Sequence, residues 1–385
     1  MKEIVLLGAS GSIGIQTLQV IRTNKEEFKL SGFAVHTNIT MALKILKEFP
    51  VEIICVYDKD AANKLRLELQ KNNMKTAILD GMDGMLTLIR EVGNFVVNAL
   101  VGSIGVLPTI EALTVGKNVA LANKESLVSA GEIVMDIAKK STARLIPVDS
   151  EHSAIFQCLE ADYQKELSKI IITASGGSLR EYTTEQIKIV GVAEVLKHPN
   201  WNMGQKITVD CATMMNKGFE VIEAKWLFDI PYEKIDVVLH RQSRVHSMAE
   251  YVDGSVLAHL GVTDMRIPIQ YALTYPQRKA LEPSTKFDWA TAFSLDFEPI
   301  SYERYPILKL AREAGVAEGT YAAALNAANE VAVSAFLAER IHFNEIAPLL
   351  ERVLDNHTSY KNYTLEQLLA VDRQTRILTE KLMRD

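Results

Sequence analysis

The chain has 385 residues, of which 48% are hydrophobic and 23% charged, and its formal net charge is −6. That length exceeds what one core ordinarily holds, so two or three domains are expected; the acidic balance excludes a generally basic, nucleic-acid-binding surface but leaves room for a local basic pocket. No stretch reaches the roughly 20 apolar residues of a membrane span, and the apolar run in residues 1–8 is short for a signal peptide, so a soluble, cytoplasmic chain with no membrane partner is expected.

Residues 4–7 form a short β-branched run with a glycine-rich turn directly after it, and residues 13–23 carry apolar side chains at helical spacing, Ile13, Leu18 and Ile21 among them. Residues 30–35 read as the next strand, 42–48 as a helix and 51–56 as a strand. The alternation continues through strands at 76–79, 94–99, 119–121 and 145–148. Strands that are apolar throughout and alternate with helices predict a parallel sheet covered on both faces, hence an α/β, Rossmann-like N-terminal domain over 1–149. Further strands are expected at 169–173, 207–210, 235–239 and 245–249, with 251–260 extending the sheet around Asp253-Gly254; this is a central α+β domain over 150–275. Between them, residues 175–205 are rich in glycine and turn residues and predict a lid or binding loop. Residues 276–300, with Pro276, Pro283 and Pro299, read as a linker. From Ile307 the pattern is helical, clearest in the alanine-rich 319–340 and again near 365–382, which predicts a C-terminal helical bundle over 301–385. Cys55, Cys158 and Cys211 are scattered without a C-x-x-C pair, the pattern of reduced thiols rather than of a disulfide framework or zinc site.

The first chemical signal is Gly8-Ala9-Ser10-Gly11-Ser12-Ile13-Gly14, which follows a strand and opens a helix. Glycines there permit a tight turn and close backbone approach, and the helix N-terminus offers N–H groups and partial positive charge to a pyrophosphate. The spacing is G-x-x-G-x-x-G, a variant of the usual dinucleotide fingerprint. An NAD enzyme places an acid at the end of the second strand, but here the residues are Val35-His36-Thr37-Asn38. Without that acid a 2′-phosphate is tolerated, and His36, Thr37 and Asn38 can hydrogen-bond it, so NADP is favoured.

The second signal is a pair of acidic stretches. Asp149 and Glu151 follow the strand at 145–148 and share one side of an extended backbone, where open α/β sheets bind ligands. The competing reading is that Asp149-Ser150 caps the helix that follows. On a helix, Asn216 and Glu220 share a face with Lys217 beside them, and Gly218 marks a close approach by a ligand or backbone. Hard divalent cations take oxygen ligands, and a phosphorylated substrate takes cationic and amide donors.

The glycine loop, Leu121-Ala122-Asn123-Lys124-Glu125-Ser126, Asp149-Ser150-Glu151-His152-Ser153, Lys197-His198-Pro199-Asn200-Trp201, Met214-Met215-Asn216-Lys217-Gly218-Phe219-Glu220 and Leu325-Asn326-Ala327-Ala328-Asn329-Glu330 together resemble, in order and over essentially the whole chain, the 1-deoxy-D-xylulose 5-phosphate reductoisomerase family. The resemblance implies an NADPH-dependent, Mg²⁺- or Mn²⁺-dependent, homodimeric enzyme of isoprenoid-precursor synthesis acting on a small phosphorylated sugar. It implies Asp149, Glu151 and Glu220 as metal ligands, and Lys124 and Ser150 as contacts to the substrate backbone. Ser175, His198, Asn216 and Lys217 would hold the phosphate or neighbouring hydroxyls. Ser10, Gly11, Ser12, Ile13, Asn38, Asn123, Glu125 and Gly204 would contact NADPH. Residues 175–205 match the family's mobile flap, with Trp201 and Met203 closing over the substrate. His152 is read as a satisfied helix-start histidine, and His246 as lying near the active site.

Three positions depart from the family pattern. Cys211 stands where a phosphate-binding serine is usual, and a thiol is a weak donor. Arg241 replaces the proline of a His-Pro-Gln-Ser run, and Ser10 replaces a threonine. The runner-up reading is another two-domain NADP-dependent dehydrogenase of a small metabolite, which needs no three-carboxylate metal site. A dinucleotide sensor would have no use for Lys124, Glu151, Lys217 and Glu220 together.

Overall fold

The structure is a computed structural model that describes residues 1–159, 163–201, 203–283 and 286–384. The chain groups into two compact units. The first holds residues 1–123, 134–149 and 264–284, and the second holds 124–133, 150–263 and 285–385. The expected first boundary at 149 is thus crossed twice, because 124–133 groups with the second unit and 264–284 with the first. The central and C-terminal segments, expected as separate domains, fall in one unit.

In the first unit, β1 (Lys2–Leu7), β2 (Phe28–Val35), β3 (Ile53–Val56), β4 (Ala77–Asp80), β5 (Phe95–Asn98), β6 (Asn118–Leu121) and β7 (Leu145–Pro147) form one sheet in the order β4-β3-β2-β1-β5-β6-β7. Every neighbouring pair is parallel. The buried apolar runs of β1, β3, β5 and β6 explain this, since a strand covered on both faces has no need of alternation. The order reverses direction between β1 and β5, the position at which doubly wound sheets bind ligands beyond their carboxyl ends. The glycine loop leaves β1 at that point. Gly8 has φ +79°, and a Cβ there would stand 2.4 Å from the Ala99 carbonyl oxygen; a Cβ on Gly14 would stand 2.3 Å from the Gly8 oxygen. Both positions therefore require glycine.

In the second unit, β8 (Leu167–Ala174), β9 (Ile235–Leu239), β10 (Val245–Tyr251), β11 (Val256–Leu260) and β12 (Glu298–Pro299) form a mixed sheet in the order β11-β10-β8-β9-β12. Ile170, Ile172, Ile235 and Val237 of this sheet share one apolar cluster with Phe219 and Ile222 of the Met215–Phe228 helix, Ala311 of the Pro306–Ala317 helix and Val333 of the Tyr321–Leu337 helix.

Two local expectations change. Residues 207–210, expected as a strand from their β-branched start, lie in the Gln205–Thr213 helix. Gly204 supplies the extended residue at its N-terminus, Thr208 Oγ1 donates back to the Gly204 carbonyl at 2.8 Å, and Lys206 pairs with Asp210 at 3.0 Å one turn on. These i, i+4 contacts outweigh the modest helix penalty of Ile207, Thr208 and Val209. The segment 175–205 is also more regular than expected. It contains the helices Thr184–Ile187 and Val192–Val195, the first closed by a reciprocal Thr183–Gln186 capping box, and it buries Leu179, Val190 and Val195.

Met214 adopts the left-handed conformation (φ 65°, ψ 13°) that breaks the Gln205–Thr213 helix from the Met215–Phe228 helix. Gly218 in the second of these lies against a neighbouring helix: a Cβ there would lie 2.4 Å from the Ala311 methyl, with the Ile307 carbonyl oxygen at 3.9 Å. The glycine lets two helices approach closely. Gly218→Ala gains about 1 kcal/mol of helix propensity but overpacks the contact by about 1–3 kcal/mol, so the expected outcome is a lower Tm. Calorimetry on Gly218→Ala and on Gly218→Ala/Ala311→Gly checks this; the second substitution recovers the lost Tm if the methyl contact is the cause.

Candidate active site

Asp149 ends the 134–149 segment of the first unit and Ser150 begins the 150–263 segment of the second, so the nearness of Asp149 to Glu151 is set by two peptide bonds. Asp149, Glu151 and Glu220 each offer a carboxylate oxygen within 4.8 Å of the others. Glu220 is fully buried. Crowding three carboxylates this way is unfavourable without positive charge, and two lysines supply it. Lys217 Nζ donates to Glu151 Oε1 at 2.8 Å and also to Glu220 Oε2. Lys124 Nζ donates to Asn216 Oδ1 at 2.8 Å and to Glu220 Oε1 at 3.3 Å, while Asn216 Nδ2 donates to that same Glu220 oxygen at 2.5 Å. The Ser150 hydroxyl donates to Glu151 Oε2 at 2.5 Å.

Burial alone would raise the Glu151 carboxyl, but the Lys217 ammonium and the Ser150 hydroxyl outweigh it and bring the group down to about 2. Lys217 is pushed the other way: burial favours the neutral amine, yet Glu151 and Glu220 hold it protonated well above its ordinary value. The donor set fits a hard divalent cation, which takes carboxylate oxygens and completes its shell with water or substrate oxygens. Three anionic oxygens whose charge two lysines only partly balance can accept one.

Behind this cluster, His152 is fully buried. Its Nε2–H donates to the Glu220 carbonyl at 2.9 Å and its Nδ1 lies 3.3 Å from Glu223 Oε2, so the ring braces the backbone that carries Glu220. The helix-start reading of His152 gains here a buried carboxylate partner that the sequence reading missed. The signal was present, since Glu220 and Glu223 are three apart on one helix.

A second group of donors surrounds Ser175. Asn200 and Trp201 N–H groups donate to His198 Nδ1 at 3.2 and 3.0 Å, which assigns the ring proton to Nε2; Nε2–H then donates to Ser175 Oγ at 3.1 Å. Burial, helped by the nearby Arg180 charge, pushes His198 down to about 4, so the ring is neutral at physiological pH. Gly176 and Gly177 have φ +82° and +73°, and a Cβ on Gly177 would stand 2.5 Å from the Cys211 carbonyl oxygen. The loop therefore lies flat against the helix that carries Cys211. Burial and then Glu220 push the Cys211 thiol far up, so it remains a neutral, weak donor.

Arg241 is explained by the same loop. Its guanidinium pairs with Glu298 of β12 at 2.7 and 3.1 Å and with Glu181 at 2.5 Å. Its carbonyl accepts from Arg180 Nη1 at 3.0 Å and Asn200 Nδ2 at 2.7 Å. One residue thus docks both ends of the segment 175–205. Trp201 of that segment rests 6.2 Å, ring to ring, from His246.

The remaining expected residues divide by unit. In the first, Ser10 and Gly11 precede the Ser12–Thr23 helix, which has no side-chain cap, leaving its first N–H groups for a ligand. Thr37 and Asn38 are exposed past β2; Asn38 Oδ1 caps the next helix by accepting from the Met41 N–H at 3.0 Å, so only its amide NH₂ is left to donate to a phosphate. Asn123 is fully buried and donates to the carbonyls of Leu100 and Gly102. In the second, Glu125 opens the Glu125–Lys140 helix and Gly204 precedes the Gln205–Thr213 helix, with open space where its Cβ would be.

Comparison with known proteins decides the family. Residues 4–131 match the family model described as 1-deoxy-D-xylulose 5-phosphate reductoisomerase, residues 145–228 match that of its C-terminal domain, and 260–378 match that described as the DXP reductoisomerase C-terminal domain. The chain belongs to the 1-deoxy-D-xylulose 5-phosphate reductoisomerase family. It is 50% identical over 384 residues to the reductoisomerase of a Geobacillus species, covering 100% of both chains, and 49% identical to that of Caldanaerobacter subterraneus subsp. tengcongensis, covering 100% and 99%. Among solved structures, a DOX-P reductoisomerase in complex with NADPH, fosmidomycin and magnesium superposes with a TM-score of 0.96 at 38% identity, over 100% of this chain and 98% of that one. The Zymomonas mobilis reductoisomerase in complex with NADPH gives 0.91 at 38% identity, over 99% of each chain.

The neutral His198 gives a testable pH behaviour. Its folded value of about 4 lies below the ordinary 6.5, so the stabilisation of the 198–201 turn is complete above about pH 6.5 and is lost as pH falls toward 4. An NMR titration of the His198 ring is expected to give a midpoint near 4, with the Asn200 and Trp201 amides losing exchange protection as the ring protonates. A midpoint near 6.5 would mean that the two amides do not hold Nδ1.

Proposed function

We propose that this chain performs the reaction of its family: it rearranges 1-deoxy-D-xylulose 5-phosphate and reduces the resulting aldehyde with NADPH to 2-C-methyl-D-erythritol 4-phosphate, in non-mevalonate isoprenoid-precursor biosynthesis. The observation that carries this is the convergence of Asp149, Glu151 and Glu220 within 4.8 Å, charge-balanced by Lys124 and Lys217. A simple dehydrogenase needs no such cluster. Solved relatives hold NADPH and magnesium, and the same pair suits this chain's glycine loop and carboxylates. Mg²⁺ or Mn²⁺ on those three residues would supply Lewis acidity at the substrate's carbonyl and hydroxyl oxygens.

The side chains divide the remaining work. Lys217, Asn216, Ser175 and His198 would take the phosphate, the first as a charge and the others as amide, hydroxyl and neutral N–H donors; Cys211 adds little beyond a non-repelling wall. Lys124 and Ser150 would meet the substrate backbone, Lys124 keeping an ammonium proton available to oxygens that gain charge as the carbon skeleton rearranges. Trp201 and Met203 would cover the substrate and exclude water. Ser10, Gly11, Ser12, Ile13, Thr37, Asn38, Asn123, Glu125 and Gly204 would bind the cofactor. We assign dinucleotide binding chiefly to residues 1–149 and catalysis to 150–275.

A spectrophotometric assay of NADPH oxidation with 1-deoxy-D-xylulose 5-phosphate, with and without Mn²⁺, tests the function. Turnover is expected only with metal. Glu220→Gln removes one ligand charge and is expected to abolish turnover while leaving NADPH binding, followed by fluorescence, unchanged. Activity equal to wild type in that variant at saturating metal would sink the metal assignment.

Homodimerisation and a cytoplasmic location belong to the same proposal. None of the described helices is long and apolar enough to cross a membrane, and the three cysteines stand free, which suits a reducing compartment. The edge strand β11 exposes Val256, Leu257 and Leu260, and the segment before β12 exposes Trp289, Phe293 and Phe297. An apolar edge strand left bare invites pairing with another chain, here a second copy. Light scattering on the purified protein is expected to give twice the 42.9 kDa chain mass. Leu257→Lys is expected to shift it toward the monomer, and a monomeric wild type would refute the dimer.

A further inference from the structure

The stretch Leu325-Asn326-Ala327-Ala328-Asn329-Glu330 has no part in the site described above, yet it lies mid-helix in Tyr321–Leu337 and is almost wholly buried. Asn329 is fully buried, and its Nδ2 donates to Asp210 Oδ1 at 2.8 Å. The other Asp210 oxygen lies 3.0 Å from Lys206 Nζ. Lys206 Nζ also donates to Glu125 Oε1 at 2.8 Å and sits 5.5 Å over the Phe219 ring, next to Glu220. Glu125 follows Lys124 directly and opens the helix to which that lysine's backbone leads. All these residues lie in the second unit. A continuous polar path therefore runs from the helical C-terminal segment to the turn that presents Lys124.

The path is a costly way to gain stability. Desolvating an ammonium and two carboxylates is unfavourable, and well-packed apolar side chains commonly serve as well. It does fix geometry. Lys206 stays protonated because Asp210 and Glu125 outweigh the burial that would neutralise it, and Glu125 stays ionised because Lys206 outweighs its own burial. Both ends of the bridge are therefore charged at working pH, and each charged hydrogen bond is directional. Just beyond, the Glu125–Lys140 helix loses regular geometry at Ala130 (φ −130°, ψ 25°), so little of its length stiffens the first turn. Lys206 holds Glu125 from outside that helix, through the 2.8 Å hydrogen bond to its Oε1.

We propose that Lys206 is a positioning residue for the reductoisomerase reaction: braced through Asp210 by Asn329, it holds Glu125 and so keeps the Lys124 ammonium in register with Asn216 and Glu220. Lys206 also sits two residues past Gly204, where the segment 175–205 ends, so one side chain ties that end to the Lys124 turn. The proposal rests on the reductoisomerase reading, and the wild-type assay run alongside separates the two: an inactive wild type is a failure of that reading, whereas an active wild type with unaffected variants is a failure of this proposal.

The test uses full-length protein, the NADPH assay with saturating Mn²⁺, and the variants Lys206→Met, Lys206→Arg, Asn329→Ala and the double Lys206→Met/Asn329→Ala. Misplacing a catalytic ammonium by about 1 Å costs up to about 100-fold in rate, so Lys206→Met is expected to lower kcat about 10- to 100-fold. Its KM for the sugar phosphate should change by no more than about twofold, because the phosphate donors lie elsewhere. Lys206→Arg should restore most of the loss, and Asn329→Ala, which touches none of the catalytic groups, should lower kcat about threefold or more without moving KM. The double variant should be no slower than Lys206→Met alone, since the Asn329 effect passes through Lys206. A folded Lys206→Met with kcat within about twofold of wild type overturns the proposal, as does full additivity in the double variant. If Lys206→Met does not fold, Asn329→Ala decides: unchanged kcat overturns the proposal, and a reduced kcat at constant KM supports it.

Discussion

Charge compensation at Glu220 is the constraint on which the second unit is organised. A fully buried carboxylate is tolerable only with partners, and Glu220 collects Lys124, Lys217 and Asn216 from two separate segments of chain. Meeting that requirement brings the Lys124 turn against the Met215–Phe228 helix and draws the start of the Ser150–Cys158 helix in through Lys217 and Glu151. The close helix contact at Gly218 and the His152 brace on the Glu220 carbonyl then fix the height and rotation of the helix that carries it. The geometry of the carboxylate cluster and the placement of the helix that carries Glu220 answer one electrostatic problem.

Much of this was legible in the sequence because the relevant signals were local. The seven parallel strands read as apolar runs, and the glycine loop read as a tight turn with close backbone approach; at Gly8 and Gly14 that approach leaves no room for a Cβ. The acidic stretches were found because the chemistry of each is contained within a few residues. The Lys206 bridge was hidden by a wrong period. Reading 207–210 as a strand puts Lys206 and Asp210 four residues along an extended chain, far out of reach, whereas on a helix they are adjacent. The partners at Glu125 and Asn329 lie 81 and 119 residues from Lys206 and Asp210 respectively, a separation at which no local pattern carries information. Gly218 shows the same limit: its need for closeness was visible, but its partner Ala311 was not.

The departures from the family pattern have physical accounts of different kinds. Arg241 replaces a conformational constraint with a network, since its side chain and its carbonyl hold Glu181, Arg180 and Asn200 of the segment 175–205 at once. Cys211 replaces a hydroxyl with a thiol whose neutrality is enforced by burial and by Glu220, so it costs a donor without adding a charge.

The neutral His198 has a wider implication when placed beside its neighbours. His198 is uncharged, Cys211 remains a thiol and Lys217 remains an ammonium, and each is held that way by its surroundings well outside the physiological range. On the proposed assignment of these residues to the substrate phosphate, the charge of the cradle does not change across the physiological range. A sugar phosphate, by contrast, takes its second negative charge near pH 6, as phosphate monoesters generally do. On that assignment, acid dependence in the capture of substrate is a property of the ligand in solution, and the protein acts as a fixed mould that reads the ionisation of its guest.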